Sequence, residues 1–248
     1  MIDKSLVTFI TAGDPTKEAT LEFLYFMDEH ADLIELGIPT RDPMADGPTI
    51  QKANERALKN GININDILGI VEVFKEQSDT PIILMTYYNS IFVKGVDNFL
   101  SKADEVGVDG IIVVDLPICE AGGYLQKIKH YSTKPIFLVA PNTSKKNLKK
   151  IDEISSFVYL VSTYGVTGAR QGVSQITIKA LERTKRICSK PVAVGFGISK
   201  PEHIKTVINH GADGVVVGSA IVKLIEEHKE NSAEIIEEKV KELKIPLL

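Results

Sequence analysis

The chain has 248 residues and a formal net charge of −4, with 44% hydrophobic and 25% charged residues. These proportions exclude a disordered or fibrous protein, and the lack of a basic excess argues against nucleic acid as the main partner. No apolar run reaches the ~18 residues that span a bilayer, and the first residues do not resemble a signal peptide, so we expect a cytoplasmic protein.

Short β-branched segments alternate with longer amphipathic segments along the chain. The eight predicted strands are residues 6–11, 32–37, 81–87, 109–115, 135–140, 157–162, 191–195 and 214–218. Helical patterns between them include residues 16–29, 64–76, 176–187 and 201–210. Eight such units in a chain near ~250 residues predict one phosphate-binding (β/α)8-barrel domain, a TIM barrel, over residues 1–248.

An open, doubly wound sheet is the alternative fold. It would usually have fewer strands and a glycine-rich turn after the first, whereas that turn here reads TAGDP at 11–15. Glycine-rich turns instead follow the sixth, seventh and eighth predicted strands, where barrels often bind phosphate. The barrel is therefore favoured.

The chain has three further local features. An aspartate recurs where a helix leads into a strand, at Asp32, Asp109 and Asp213. Because the spacings are unequal, we interpret this as one type of loop used several times and not as a solenoid repeat. Residues 226–244 keep helical apolar spacing and predict one final helix. Cys119 and Cys188, in predicted helical segments without another ligand at metal-binding spacing, are interpreted as structural thiols, so no metal site is expected.

Glu35 is an acid inside the second predicted strand, where both faces of a barrel strand should be buried. If Leu33, Glu35 and Gly37 face inward, Glu35 lies near the carboxyl-end mouth of the barrel. Desolvation would raise its pKa and suit it to general acid/base catalysis. The alternative is a buried glutamate paired with a lysine or a backbone donor.

Asp46 follows in the proline-rich loop 38–48, which reads IPTRDPMADGP. A stiff loop over a barrel mouth can hold a carboxylate that accepts a hydrogen bond from substrate. The alternative is that Asp42 or Asp46 caps a helix that starts near Pro48, and Asp42 is assigned a structural role of this kind.

Three glycine turns follow consecutive strands: GVTG at 165–168, GFGIS at 195–199 and GS at 218–219. Glycine lets backbone N–H groups approach an anion closely, and a helix N-terminus adds free donors. Each turn alone could be a simple tight turn. Together they predict a phosphate cradle that needs neither lysine nor arginine.

Tyr159 alternates with Phe157 and Val161 in the sixth predicted strand and is expected to reach Glu35, although a core tyrosine is the plainer interpretation. An apolar wall that accepts an aromatic group is also predicted, although such residues fill ordinary barrels too. The candidates for this wall are Phe9, Met85, Tyr87, Ile112, Leu138 and Phe196.

The segments ELGIP at 35–39, DPMADGPTIQ at 42–51, YGVTG at 164–168 and GFGIS at 195–199 resemble the tryptophan synthase α subunit family, in order and over the whole chain. The resemblance implies retro-aldol cleavage of indole-3-glycerol phosphate to indole and glyceraldehyde 3-phosphate, with no cofactor in this subunit. It makes Glu35 the catalytic acid/base and Asp46 the acceptor of the indole N–H. The family's lid, phosphate and pocket positions match Thr167, Gly168, Gly197, Gly218, Ser219, Phe9, Ile50, Tyr87, Tyr159 and Phe196.

The resemblance also implies a β-subunit partner that carries pyridoxal phosphate, in an αββα assembly. Two departures from the family pattern bear on this. Thr40 and Arg41 replace a common Phe-Ser pair and put loop contacts to the partner in question. Only five residues precede the first predicted strand, so the bottom of the barrel is expected to be closed differently or left open.

Three functions are compatible with these residues. The first is an active lyase, which Glu35 and Asp46 together favour. The second is a regulatory subunit that mainly activates the β partner. The third is a phosphoribosyl-type isomerase, which would use the phosphate cradle without an apolar wall for indole.

Overall fold

The computed structural model describes residues 2–161, 173–195 and 197–248. Its nine strands are all parallel and form one sheet in the order β5-β4-β3-β2-β1-β9-β8-β7-β6. They are β1 Ser5–Thr11, β2 Leu33–Gly37, β3 Ile82–Thr86, β4 Gly110–Val113, β5 Lys134–Ile136, β6 Leu138–Val139, β7 Val158–Val161, β8 Val192–Gly195 and β9 Gly214–Val217. The α/β alternation predicted from the sequence is therefore confirmed.

Helices follow the strands and cover the outside of the sheet. They are α1 Lys17–Asp28, α2 Pro48–Lys59, α3 Ile64–Lys75, α4 Tyr88–Phe92, α5 Val96–Glu105, α6 Gly122–Ile128, α7 Lys145–Ile154, α8 Gln175–Ile187, α9 Pro201–Asn209, α10 Ser219–His228 and α11 Ala233–Lys244. Short 3₁₀ helices occupy Lys229–Ser232 and Ile245–Leu247. Across the described ranges, no helix combines the length and apolarity that a membrane crossing would require.

One extended segment, which contains β5 and β6, pairs with a different neighbouring strand on each side and so links the two ends of the sheet. β5 pairs with β4 and β6 pairs with β7, and only Phe137 separates β5 from β6. The prediction of one continuous strand over 135–140 was wrong in this respect, because the segment changes its hydrogen-bonding partner at Phe137. The two short strands together occupy the fifth strand position of the barrel. The sheet is therefore a nearly closed barrel with eight strand positions.

Alternate strand residues fill the inside of the barrel. The interior cluster contains Ile2, Val7, Leu33, Ile83, Ile112, Ile136, Phe157, Tyr159, Ala193 and Val216, all buried. Ile2 precedes β1 and packs at the amino end of the barrel. A Cβ on Gly214 would lie 2.8 Å from the Ile2 side chain, so glycine makes room for this closure. The bottom of the barrel is thus plugged by an isoleucine.

The recurring aspartates have one shared function at the amino ends of the strands. The Asp213 N–H donates to the carbonyl of Val192 at 2.9 Å, and the Asp213 carboxylate accepts the Val192 N–H at 2.6 Å. Asp32 makes the same exchange with Leu6, and Asp109 makes it with Ile82. A lysine from a helix pairs with each aspartate: Lys185 with Asp213, Lys244 with Asp32 and Lys75 with Asp109. We call these three groups the aspartate clasps.

Two further predictions need correction. The tail is not one helix, because α10 ends at His228 and Lys229 has a positive φ of 55°. The Ser232 hydroxyl donates to the Lys229 carbonyl, and such local side-chain bonds compete with a continuous helix. Cys119 lies in an exposed turn, whereas Cys188 is a buried C-cap of α8.

Candidate active site

Glu35 points into the barrel and is fully buried. It lies between Phe9 of β1 and Ile83 of β3 in the sheet register. Burial raises the pKa of Glu35 to about 8; a hydrogen bond from Tyr159 opposes this rise and the nearby charge of Asp46 adds to it. The lysine-paired alternative is wrong within the described residues, since the one hydrogen bond to this carboxyl comes from a tyrosine.

Tyr159 reaches Glu35 from β7 on another part of the barrel wall. Its hydroxyl lies 3.4 Å from Oε2 of Glu35, and burial together with the Glu35 charge raises the pKa of Tyr159. A Cβ on Gly195 would lie 2.8 Å from that hydroxyl, so only glycine at this position leaves enough space for the Tyr159 ring. From the sequence Gly195 was predicted only as part of a glycine turn, although a glycine within a strand often marks such a close approach.

Asp46 lies in the loop between β2 and α2, on the carboxyl-end rim of the barrel. Burial raises the pKa of Asp46 to about 6, and a hydrogen bond from the Tyr87 hydroxyl opposes the rise. The same hydroxyl accepts the N–H of Ala45 at 3.0 Å. Tyr87, at the end of β3, therefore fixes both the loop backbone and the carboxylate that it carries.

The helix-capping interpretation of this loop is wrong. α2 begins at Pro48 as predicted, but its N-cap is Gly47 and no side chain caps the helix. Gln51 instead donates from its side chain to the Asp46 carbonyl at 2.8 Å. Asp42 is exposed and caps no helix. The Asp46 carboxylate is thus available to a ligand.

An apolar wall lies beside the two carboxyl groups. Phe9, Ile50, Ala53 and Val222 form a buried cluster against which Met85 packs. A Cβ on Gly37 would lie 2.8 Å from the ring of Phe9, so this glycine also shapes the wall. Ala53 of α2 and Val222 of α10 were not predicted from the sequence, because neither apolar residue stands out on a helix with a buried face.

The predicted phosphate cradle lies partly within the described residues. Gly197 has a positive φ of 79°, and no atom of the described residues lies within 4 Å of its Cβ position. Gly218 is the N-cap of α10, whose first residue is Ser219. A Cβ on Gly218 would lie 3.2 Å from Phe9, which joins the helix N-terminus to the apolar wall. Thr167, Gly168 and Phe196 lie outside the described residues.

The chain is similar to one family over almost its whole length. The model of the tryptophan synthase alpha chain family matches residues 2–245. The tryptophan synthase alpha chain of Pyrococcus abyssi is 50% identical over 242 residues, which are 97% of this chain and 98% of the relative. The Archaeoglobus fulgidus alpha chain is 51% identical over 235 residues, 94% of either chain.

Solved structures give the same result. A chain from a Pyrococcus furiosus tryptophan synthase α2β2 complex, in a study of mutual activation, superimposes with a TM-score of 0.93. It is 51% identical, and the match covers 98% of each chain. The P. furiosus alpha subunit from a study of its entropic stabilization superimposes with a TM-score of 0.92 at 49% identity, again over 98% of each chain.

Proposed function

The chain belongs to the tryptophan synthase alpha chain family, lyases that cleave indole-3-glycerol phosphate to indole and glyceraldehyde 3-phosphate, and we propose that Glu35 and Asp46 perform that cleavage here. The observation that carries this proposal is a fully buried glutamate with a pKa of about 8, close to a carboxylate with a pKa of about 6. Near neutral pH the first is mostly protonated and the second mostly ionised. One group can give a proton while the other stabilises positive charge.

The reaction needs one proton moved to carbon and one removed from oxygen. Glu35 in its acid form gives its proton to C3 of the indole ring, and the ring becomes a cationic indolenine. The resulting carboxylate then takes the proton of the glycerol hydroxyl next to the ring. The hydroxyl oxygen forms the aldehyde, and the electrons of the breaking carbon–carbon bond return to the ring, which leaves as indole. A single residue thus shuttles one proton.

Asp46 stabilises the intermediate through its charge. Positive charge develops at the ring nitrogen when C3 is protonated, and a carboxylate that accepts the indole N–H is strengthened by that charge. Tyr87 favours the ionised form of Asp46 by its hydrogen bond. The aromatic ring itself is expected to lie against Phe9, Ile50 and Tyr87, with Tyr159 and Phe196 completing the pocket.

We propose that the substrate phosphate binds at the turns that contain Gly168, Gly197 and Gly218, with Ser219 at the start of α10. Two features support this assignment: a helix N-terminus carries free N–H groups, and no described residue approaches the Cβ position of Gly197 within 4 Å. Thr167 is proposed to contact Asp46 when the site closes. These contacts need no cofactor in this chain.

We propose that the partner is a tryptophan synthase β subunit that carries pyridoxal phosphate, in an αββα complex. The P. furiosus relative assembles as α2β2. In this chain the rim near Asp46 carries apolar side chains with large exposed fractions: Met44 at 88%, Phe92 at 62% and Val93 at 72%. They follow β2 and β3, on the side of the barrel where the site opens, and suit a partner that receives indole directly.

Arg41 lies in a groove of about 630 Å³ beside this rim, lined by residues 40–44 and the outer side of α2. We propose that the partner binds in this groove and that Arg41 contacts the partner there.

Residues 1–248 are proposed to act as one domain, in the cytoplasm, where a biosynthetic enzyme meets its substrate.

The direct test is release of indole from indole-3-glycerol phosphate by the purified chain. The lyase proposal requires turnover that depends on Glu35. A chain that binds the substrate but releases no indole, alone or with a β subunit, would be a regulatory subunit. Isomerisation of a phosphoribosyl substrate without indole release would favour the phosphoribosyl-type isomerase.

A further inference from the structure

Three possible metal ligands meet on the outside of the barrel, away from the proposed active site. Glu29 is the C-cap of α1, His30 follows it, and Glu237 lies on α11. One ligand atom of each residue lies within 4.8 Å of those of the other two. Because α1 ends where β2 begins, this cluster is at the amino end of the strands, whereas Asp46 is at the carboxyl end.

His30 supplies the most buried ligand atom of the cluster. Its Nε2 atom is buried and has no hydrogen-bond partner among the described residues, and only 22% of its side chain is exposed. The same atom faces Oε1 of Glu237 at 4.0 Å, too far for a hydrogen bond. A buried ring nitrogen that lacks a partner but faces a carboxylate needs something between the two.

Neither glutamate of the cluster has a permanently charged partner. Within the described ranges, neither Glu29 nor Glu237 has a lysine or arginine within ion-pair distance. Asp32, two residues after His30, is by contrast paired with Lys244 of the same helix that carries Glu237. Among the described residues, the cation nearest to these two carboxylates is therefore His30 itself, 4.0 Å from Glu237 and charged only when protonated, and a divalent cation would neutralise both carboxylates.

We propose that Glu29, His30 and Glu237 bind a zinc ion that ties the end of α1 to α11. One imidazole and two carboxylates are a donor set that suits Zn²⁺ better than the oxygen-preferring Mg²⁺ or Ca²⁺. A tetrahedral site with bonds near 2.0–2.1 Å places its ligand atoms about 3.3 Å apart. The long glutamate side chains, which lie at the surface, close that gap by rotation, and water fills the fourth position.

The ion would act on stability, because it joins segments from opposite ends of the chain. Zinc that binds the folded chain but not the unfolded one raises the melting temperature, and a hundredfold excess over Kd corresponds to a rise of roughly 5 °C for a chain of this size. The Lys244–Asp32 ion pair already ties α11 to the same end of the barrel. Zinc would add a second tie.

The experiment titrates the EDTA-treated, tag-free chain with Zn²⁺ by calorimetry and with Co²⁺ by its visible absorption. One ion per chain should bind, and the melting temperature should rise with it. His30→Gln and Glu237→Gln should abolish both effects and leave indole release unchanged. His130→Gln and Glu238→Gln, at exposed positions, are the matched controls and should behave as the unsubstituted chain.

Either of two results would overturn the proposal. One is the absence of saturable binding by the unsubstituted chain. The other is binding that survives in both His30→Gln and Glu237→Gln. A melting temperature that rises with zinc equally in all variants belongs to the second case, since the ion then binds elsewhere.

Discussion

The hydroxyl of Tyr159 lies 3.4 Å from one carboxyl oxygen of Glu35, and the other oxygen of Glu35 has no partner among the described residues. A buried carboxyl that is held on one side and free on the other can face a substrate with its free oxygen. The hydrogen bond orients the group, and burial keeps it protonated near neutral pH.

Glu35→Gln should reduce indole release by at least ~10²-fold, because the amide keeps the shape of the side chain but cannot shuttle a proton. Substrate binding and the melting temperature should change little. Steady-state rates and calorimetry measure these quantities. Glu72→Gln, at an exposed position on α3, is the control. Retention of more than about half of the rate in Glu35→Gln would refute the acid/base assignment.

Asp46→Asn should also be severe, because the charge of the carboxylate stabilises the cationic ring and an amide has no charge. The loss should appear in kcat more than in KM, since the positive charge develops only during the reaction. Single-turnover kinetics with the isolated chain separate the two parameters. A silent Asp46→Asn variant would remove Asp46 from the chemistry.

The pH profile of kcat/KM should be bell-shaped, with limbs near about 6 and about 8. Activity falls below the first value because Asp46 gains a proton, and above the second because Glu35 loses one. Tyr87→Phe should shift the acid limb upward, since the Tyr87 hydrogen bond lowers the pKa of Asp46. Rates measured from pH 5 to 9 at constant ionic strength test this. If the acid limb does not shift in Tyr87→Phe, then it does not report the protonation of Asp46.

Gly197→Val should weaken substrate binding, because a side chain there occupies the space proposed for the phosphate. The matched control is Gly211→Val. Gly211 also has a positive φ and no described residue within 4 Å of its Cβ position, but it lies before β9, at the other end of the barrel. Both variants carry similar backbone strain. Titration with glyceraldehyde 3-phosphate or inorganic phosphate should detect weaker binding in Gly197→Val alone. Equal losses in both variants would attribute the effect to strain.

Asp213→Ala should lower the free energy of unfolding by about 1–3 kcal/mol, because it removes the Lys185 ion pair and leaves the Val192 N–H without its acceptor. Asp213→Asn should cost less, since an amide oxygen can still accept the Val192 N–H. Denaturant unfolding measures both, with exposed Asp79→Ala as the control. Indole release per folded molecule should be unchanged. Equal stability of Asp213→Ala and the control would show that the clasp contributes nothing.

A cognate β subunit should raise the lyase rate at least ~10-fold, which corresponds to about 1.4 kcal/mol of barrier. The proposed reason is that the partner binds the closed arrangement of the loop that carries Asp46 and so shifts the population toward it. By linkage, glycerol phosphate should tighten the complex. Rate assays test the predicted acceleration, and calorimetric titration with and without glycerol phosphate tests the predicted tightening of the complex. If the partner binds without either change, Arg41 is the first residue to replace.

The sequence by itself determined the local features of this protein. The alternation of strands and helices, the acid within β2, the start of α2 at Pro48 and the glycine turns near the ends of strands all follow from periodicity or from backbone preferences of single residues. Such signals depend on near neighbours in the chain. For this reason the eight-unit barrel was correctly predicted, and the structure meets the condition that Glu35 faces inward.

Only the tertiary structure decided which distant groups meet. Strand alternation suggested that Tyr159 reaches Glu35 but left a plain core tyrosine open, and the structure decided for the contact. Nothing in the sequence pairs Asp46 with Tyr87, or Gly195 with the Tyr159 ring. The switch of partner at Phe137 and the shared function of the three clasp aspartates likewise depend on which strands are neighbours. Burial and pairing are properties of the closed barrel as a whole. The pKa values of about 8 and about 6, on which the proposed chemistry rests, therefore arise only once the barrel has formed.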